Sequence, residues 1–163
     1  MKKPQVNYAF IDGNNLHLGI ADSGWRLDYK RFRTYLREHY GVIKAYYFVG
    51  YIPEYEPLYQ FLESAGYTMK YKEISLVNNR DIKGNVDSEI VLQAMLDINQ
   101  FEKAVLVSSD GDFACLVEHL YKNAKLECVL APMKDRCSHL LKKAARERID
   151  YIEQLKTRIE YKK

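Results

Sequence analysis

Short apolar runs alternate with amphipathic stretches along this chain, and that alternation limits its folds more than any other feature. Val6–Ile11, Val42–Val49, Ala104–Val107 and Leu126–Leu130 are strand-length and rich in branched or aromatic residues. They are nearly continuous in apolar character, as strands covered on both faces are. Tyr67–Val77 alternates more and is expected nearer a sheet edge, and Ile149–Ile152 is a last short strand. Helical segments fall between. Asp28 is placed to cap a helix reaching Tyr40, with Phe32, Tyr35, Leu36 and Tyr40 on one face and Gly41 as its stop. Pro53 and Pro57 open another helix with Leu58, Phe61 and Leu62, ended by Gly66. Val86–Ile98 carries Ile90, Leu92, Ala94, Met95 and Ile98 at helical spacing; further helices are expected over Phe113–Lys122 and Arg136–Arg146, with a charged one at the end. Strands alternating with helices predict an α/β fold, a mostly parallel sheet covered on both sides with right-handed crossovers. With 163 residues and neither linker nor repeat, one domain over 1–163 is the economical organisation.

Two of the buried runs end in acids. The first stops at Asp12-Gly13-Asn14-Asn15, and Ala104–Val107 leads into Ser108-Ser109-Asp110-Gly111-Asp112. In a parallel sheet the strand C-termini share one edge, where ligands bind. Asp87 opens the helix after a polar loop, Asn78–Asn85. Each acid has a plain structural role open to it. Asp12 with Gly-Asn-Asn could form only a turn and a long loop, and Asp87, Asp110 and Asp112 could serve as helix caps. Together, neighbouring carboxylates repel and raise one another's pKa, a conflict that a hard divalent cation removes. Oxygen-rich ligation suits magnesium or manganese better than zinc, and such a site supports phosphodiester hydrolysis.

Three segments carry a family resemblance. Phe10-Ile11-Asp12-Gly13-Asn14-Asn15-Leu16 resembles the hydrophobic-Asp-x-x-Asn opening of NYN domains. Lys83-Gly84-Asn85-Val86-Asp87 is similar to their Lys-Gly-x-Asp element with one extra residue. Val105–Phe113 resembles their Ser-Gly-Asp-x-Asp-Phe element. The resemblance runs from about Val6 to Ile152. It implies a PIN-like, Rossmann-like three-layer sandwich with strand order 3-2-1-4-5 and a magnesium- or manganese-dependent ribonuclease. Asp12, Asp87, Asp110 and Asp112 would form the metal cluster, and Asn15 would orient Asp12 or a substrate phosphate. Three positions depart from the pattern: Gln93 stands where many bacterial members carry a second Asp, Ser109 where Gly is usual, and Cys115 where Pro is common.

The substrate contacts expected at the strand edge are Asn14, Asn15, Arg80, Lys83, Ser108 and Ser109, with RNA as partner. The basic residues of Arg31–Arg37 and Lys142–Arg148 are read as solvated helix faces, Trp25 as a loop anchor, and His17 as too isolated for a general base. A net charge of +3 permits a nucleic-acid partner without arguing for one. The fourteen tyrosines are read as amphipathic filler over a base-stacking surface. Three cysteines, with no CxxC pair, and no signal-like or membrane-spanning run predict a cytoplasmic chain with free thiols, Cys115 and Cys128 in the core. The tyrosine-rich second strand and the terminal helix could serve a homodimer. Two other functions remain open: a non-catalytic RNA-binding or regulatory module on the same fold, motivated by Gln93, and a phosphoryl-transfer enzyme with Asp12 as nucleophile. The second is disfavoured because Asn14, not an acid, lies two residues on.

Overall fold

The computed structural model describes residues 5–74, 76–77, 80–81 and 85–163, with side chains for 5–74 and 85–163. Its frame is a six-stranded parallel sheet built from β1 (Asn7–Asp12), β2 (Val42–Gly50), β3 (Tyr67–Lys72), β6 (Ala104–Val107), β7 (Leu126–Ala131) and β8 (Ile149–Tyr151). The spatial order is β3-β2-β1-β6-β7-β8. This is the expected 3-2-1-4-5 order with one more edge strand, β8, parallel to β7. The pairings of β1 with β2 and with β6 are also parallel.

Alternate residues of each strand supply two separate cores. Tyr8, Phe10, Tyr46, Phe48 and Leu106 face one side, under α4 (Asp87–Leu96), α5 (Ala114–Lys122) and α6 (His139–Ala145). Ala9, Ile11, Ala45, Tyr47, Val105 and Val107 face the other. There they meet α1 (Gly13–Asp22), α2 (Tyr29–Tyr40), α3 (Glu56–Ser64) and α7 (Lys156–Ile159). Both faces being covered is the reason the strands read as unbroken apolar runs.

The start and stop of α2 follow the expected chemistry. Asp28 accepts a hydrogen bond from the Arg31 backbone, and Gly41 takes the left-handed conformation, φ 67°, that ends the helix. Elsewhere the structure corrects the expectation. The residues after Asp12 are α1, with no intervening loop. Gly13 permits this because a Cβ there would lie 2.7 Å from the Phe48 carbonyl oxygen and 2.8 Å from Val49 Cγ1. Close packing of α1 on β2 therefore overrides the turn-like composition of Asp-Gly-Asn-Asn. The third strand stops at Lys72, and β4 (Leu76–Val77) pairs antiparallel with β5 (Arg80–Asp81) as a separate two-stranded sheet, within what was expected to be strand and polar loop. The expected helix over Arg136–Arg146 is a 3-10 turn, Lys134–Arg136, followed by α6.

Several side chains also differ from expectation. Arg33 is buried rather than solvated, donating through Nε to the Gly66 carbonyl and through Nη1 to the Val42 carbonyl, both at 3.1 Å. Cys115 is exposed, while Cys128 and Cys137 are buried. In α4 Ile90 and Ala94 are buried in the core and Val91 packs against it, while Leu92 and Met95 face outward, as does Leu96. Strand β2 lies between β1 and β3 with Tyr46 and Tyr47 buried, so it offers no edge to a second copy. Trp25 packs on the α2-side core, as a loop anchor does. Among the described residues, no helix is long and apolar enough to cross a membrane.

Candidate metal centre

The chain leaves β1 for β2 and β3 on one side of the sheet, then returns to β6 on the other. The crevice at this switch point lies between the C-terminal ends of β1 and β6. A cleft of about 480 Å³ opens there. Its walls are one face of α1 from Asn14 to Asp22, the end of β2 from Phe48 to Gly50, the start of α4, Ser109-Asp110, and Pro132, Met133 and Arg136 after β7.

Asp12 is the last residue of β1 and is almost wholly buried. Its Oδ1 accepts from the Asn15 backbone N–H at 3.3 Å, and its Oδ2 accepts from the Ser108 hydroxyl at 3.3 Å. Burial pushes its pKa up, the two hydrogen bonds oppose that, and the Asp110 charge adds to it. Asp110 caps the 3-10 turn Gly111–Phe113, its Oδ1 accepting from the Asp112 N–H at 2.9 Å. The capping role open to Asp110 in the sequence is thus real, Asp12 caps α1 where only a turn was expected, and each acid still faces the cleft.

Asp87 is different. It is the first residue of α4 and caps nothing; instead Asn85 Oδ1 accepts from the Asp87 N–H at 2.8 Å. Asn85 is in turn held by Lys72, whose Nζ donates to its carbonyl at 2.6 Å. Carboxylate oxygens of Asp87, Asp110 and Asp112 lie within 4.8 Å of one another. Oδ2 of Asp87 is buried with no hydrogen-bond partner among the described residues. Desolvation, then the charges of Asp110 and Asp12, push its pKa up to about 7. A desolvated carboxylate oxygen beside two other acids lacks a positive partner, which a cation supplies. The donor set is all oxygen, suiting a hard divalent ion rather than zinc.

The remaining expected residues divide. Asn14 is exposed in the cleft, and Ser109 lines it. Asn15 Oδ1 accepts from both the backbone N–H and the hydroxyl of Ser109, at 3.0 and 3.1 Å, so its side chain ties the end of β1 to the end of β6. Its backbone, not its side chain, orients Asp12. Ser108 is fully buried, its hydroxyl also accepting from the Asp110 N–H at 3.1 Å, so it positions acids and cannot touch a substrate directly. The side chain of Arg80 and all of Lys83 lie outside the described residues. His17 is exposed and outside the cleft lining. Gln93 also lies outside it, donating from Nε2 to Asp97 at 3.0 Å. Sequence reasoning missed Arg136, which reaches the cleft mouth and pairs with Asp22 at 2.6 Å. The signal available was its position just past the end of β7, on the edge that carries the acids.

The sequence profile of the NYN domain family matches residues 8–153. The chain belongs to the NYN domain family. NYN domains are a PIN-like nuclease family, and each of the three segments that carry the resemblance contributes described residues to this cleft: Asp12, Asn14 and Asn15, then Asn85 to Asp87, then Ser109 and Asp110. The chain is 31% identical over 129 residues to the Low amplitude and bright protein LabA of Synechococcus elongatus, covering 72% of this chain and 69% of LabA. It is also similar to the solved structure of a protein of unknown function from Vibrio parahaemolyticus. The TM-score is 0.76 at 21% identity, over 93% of this chain and 96% of that one. That likeness bears on the fold alone. In this NYN domain the extra residue of the Lys-Gly-x-Asp element has a structural use: Asn85 and Val86 form the lead into α4, and Asn85 fixes its first turn.

Proposed function

We propose that this NYN domain is a metal-dependent endoribonuclease that hydrolyses RNA phosphodiester bonds at the Asp12, Asp87, Asp110 and Asp112 cluster, with Mg2+ or Mn2+ as cofactor. The observation that carries the reading is the Asp87 carboxylate: its oxygen is buried, lacks a partner among the described residues and lies near Asp110 and Asp112. Asp87, Asp110 and Asp112, whose oxygens lie within 4.8 Å of one another, would hold the ion, with Asp12, which lies outside that group, completing the set directly or through water. A bound divalent cation supplies a Lewis acid that activates water and offsets charge on the phosphoryl oxygens.

The chain's own residues do the rest. Asn15 N–H and the Ser108 hydroxyl hold Asp12 in one orientation, which limits the reorganisation needed when substrate arrives. Arg136 at the cleft mouth can exchange its exposed partner Asp22 for a substrate phosphate. Asn14 is placed to contact a phosphate or the ribose 2′-hydroxyl that distinguishes RNA. Arg80 and Lys83 remain proposed phosphate contacts on sequence position alone.

The test compares wild type with Asp110→Asn for cleavage of a mixed single-stranded and structured RNA pool, in Mn2+, in Mg2+ and in EDTA. Metal-dependent cutting by wild type and none by the variant is the expected result. Equal cutting by both removes the assigned chemistry. RNA binding with no turnover in either metal replaces it with an RNA-binding module.

A further inference from the structure

Of the three segments that bring acids to the cleft, two are held by the sheet. Asp12 ends β1, which is paired on both sides, and Asp110 follows β6 through the buried Ser108. Asp87 arrives on the first turn of α4, which lies over the sheet and belongs to no strand. Val86 and Ile90 bury that turn in the core. Apolar packing is non-directional, so it holds the helix down without fixing the slide and rotation of its first turn. A group of metal ligands has to be held to within about 0.5 Å.

The directional tie comes from the edge strand. Lys72 is the last residue of β3, fixed by its pairing with Gly50 and by the Tyr51 N–H, which donates to its carbonyl at 2.8 Å. A hollow of about 160 Å³ lies beyond the acid cluster, between β3 and α4, with Lys70, Lys72, Glu89 and Gln93 in its lining. Here the Lys72 ammonium donates to the Asn85 carbonyl at 2.6 Å and pairs with Glu89 Oε1 at 3.3 Å. These partners stand two residues before Asp87 and two residues after it, so one charge grips both sides of the ligand position. Asn85 passes the constraint on, its Oδ1 accepting the Asp87 N–H at 2.8 Å. A lysine beside a cation site opposes the ion by simple electrostatics, so its place there calls for another use.

We infer that Lys72 is a positioning residue for the metal centre: through Asn85 it fixes the first turn of α4, and with it the Asp87 carboxylate, at the spacing the ion requires. The inference rests on the metal cluster proposed above and adds to it a residue from the far edge of the sheet. Its sign separates it from a plain charge effect. If Lys72 were only a nearby charge, removing it would tighten Mn2+ binding; if it places Asp87, removing it weakens binding.

The test titrates Mn2+ into the metal-free full chain at pH 8 by isothermal titration calorimetry. Lys72→Met keeps the apolar stem and loses the tie. Its Mn2+ affinity should fall about tenfold, the lower end of the loss when a partner that orients a ligand is removed. Lys72→Arg keeps the charge and the donors and should recover most of that affinity. Lys70→Met removes an equal charge from the same face of β3, where Lys70 lies over the Tyr46 ring without a bond to α4 among the described residues, and should not weaken binding. Lys72 is partly exposed, so the fold is retained, which thermal unfolding in EDTA checks. In RNA cleavage Lys72→Met should need more Mn2+ for half its maximal rate and approach the wild-type rate at saturation, a split that a misfolded fraction does not produce. If Lys72→Met binds Mn2+ as tightly as wild type or more tightly, or if Lys72→Arg is as weak as Lys72→Met, the positioning role is wrong while the ribonuclease reading stands. If wild type binds Mn2+ but cuts no RNA, the ribonuclease reading falls and the affinities still decide Lys72. If wild type binds no Mn2+, both fall.

Discussion

The Ser108 hydroxyl stands between two of the acids, donating to Asp12 Oδ2 at 3.3 Å and accepting the Asp110 backbone N–H at 3.1 Å. It joins the ends of β1 and β6 at the switch point and sets the spacing of two carboxylates that belong to different strands. Ser108→Ala removes both bonds in a fully buried place. Stability should fall by about 1–2 kcal/mol, read by chemical denaturation. Mn2+ affinity should fall about tenfold, as for a lost orienting partner. Unchanged metal affinity with the same stability loss would show that Ser108 serves only the fold.

Asp87 gives a prediction of opposite sign for stability. Its charge is desolvated and repelled by Asp110 and Asp12, so the metal-free protein carries a strained site. Asp87→Asn removes the charge. In EDTA at pH 8 the Tm should rise by about 2–4 °C, the size of a 1 kcal/mol effect in a chain this long, partial exposure having screened the repulsion. Added Mn2+ should raise the wild-type Tm and leave the variant near its EDTA value. A variant that is less stable in EDTA would show that Asp87 already has a favourable partner.

The same group sets a pH dependence. Burial and the neighbouring acids push the Asp87 pKa up to about 7 in the folded chain, from the 3.8 of an unperturbed carboxyl. Between those values the folded state binds more protons than the unfolded state, so this group makes stability fall as pH rises from about 4 to about 7. Above that window its penalty is complete; below it the penalty is absent. A cation competes with the proton for the same oxygens, so the Mn2+-induced rise in Tm should be small at pH 5 and large at pH 8. Thermal unfolding over this range, with and without Mn2+, decides it; a metal effect independent of pH would contradict the shared site.

How much of this was legible in the sequence follows from what each feature depends on. Asp12 and Asp110 were legible because a buried run ending in an acid marks a strand C-terminus, and a parallel sheet gathers those ends. The α1 helix was not, since its start depends on Gly13 meeting the Phe48 carbonyl, a contact 35 positions away in the chain. The outward face of α4 was hidden for a related reason. Periodicity places Ile90, Ala94 and Leu92 on a helix, but only the position of the sheet decides which of them it covers. Arg136 belongs to no motif and enters the cleft through the path of the loop after β7.

Arg33 shows the same limit and gives a further prediction. In sequence it shares a basic helix with Arg31 and Arg37, which are exposed. In the structure its guanidinium joins the carbonyls of Val42, at the start of β2, and Gly66, just before β3. Arg33→Met keeps the apolar stem and leaves two carbonyls without that donor. The cost should be about 2–4 kcal/mol, since each bond involves a charged donor. Arg37→Met should change stability by less than about 0.5 kcal/mol, as surface substitutions do. Urea denaturation of the pair tests this, and equal effects would return Arg33 to the solvated face.

Gln93 raised the question of whether a missing carboxylate leaves the site incomplete, and its placement answers it in a testable way. Its amide donates to Asp97 Oδ2, which also accepts the Tyr46 hydroxyl at 2.6 Å. Asp97 is buried, so these two donors hold the end of α4 against β2. The residue lines the hollow beyond the acid cluster, not the acid cleft itself. Gln93→Asp therefore would not restore a ligand. It would replace a donor by a charge beside a buried carboxylate, and Asp97 would lose one of its two partners. The variant should lose about 1–3 kcal/mol of stability. Its Mn2+ affinity should match wild type and its cleavage rate should not rise. Gln93→Ala separates the two effects: it loses the hydrogen bond without adding charge, so it should be the less destabilised of the pair at pH 8. A gain in Mn2+ affinity or in rate for Gln93→Asp would place this position in the metal site after all.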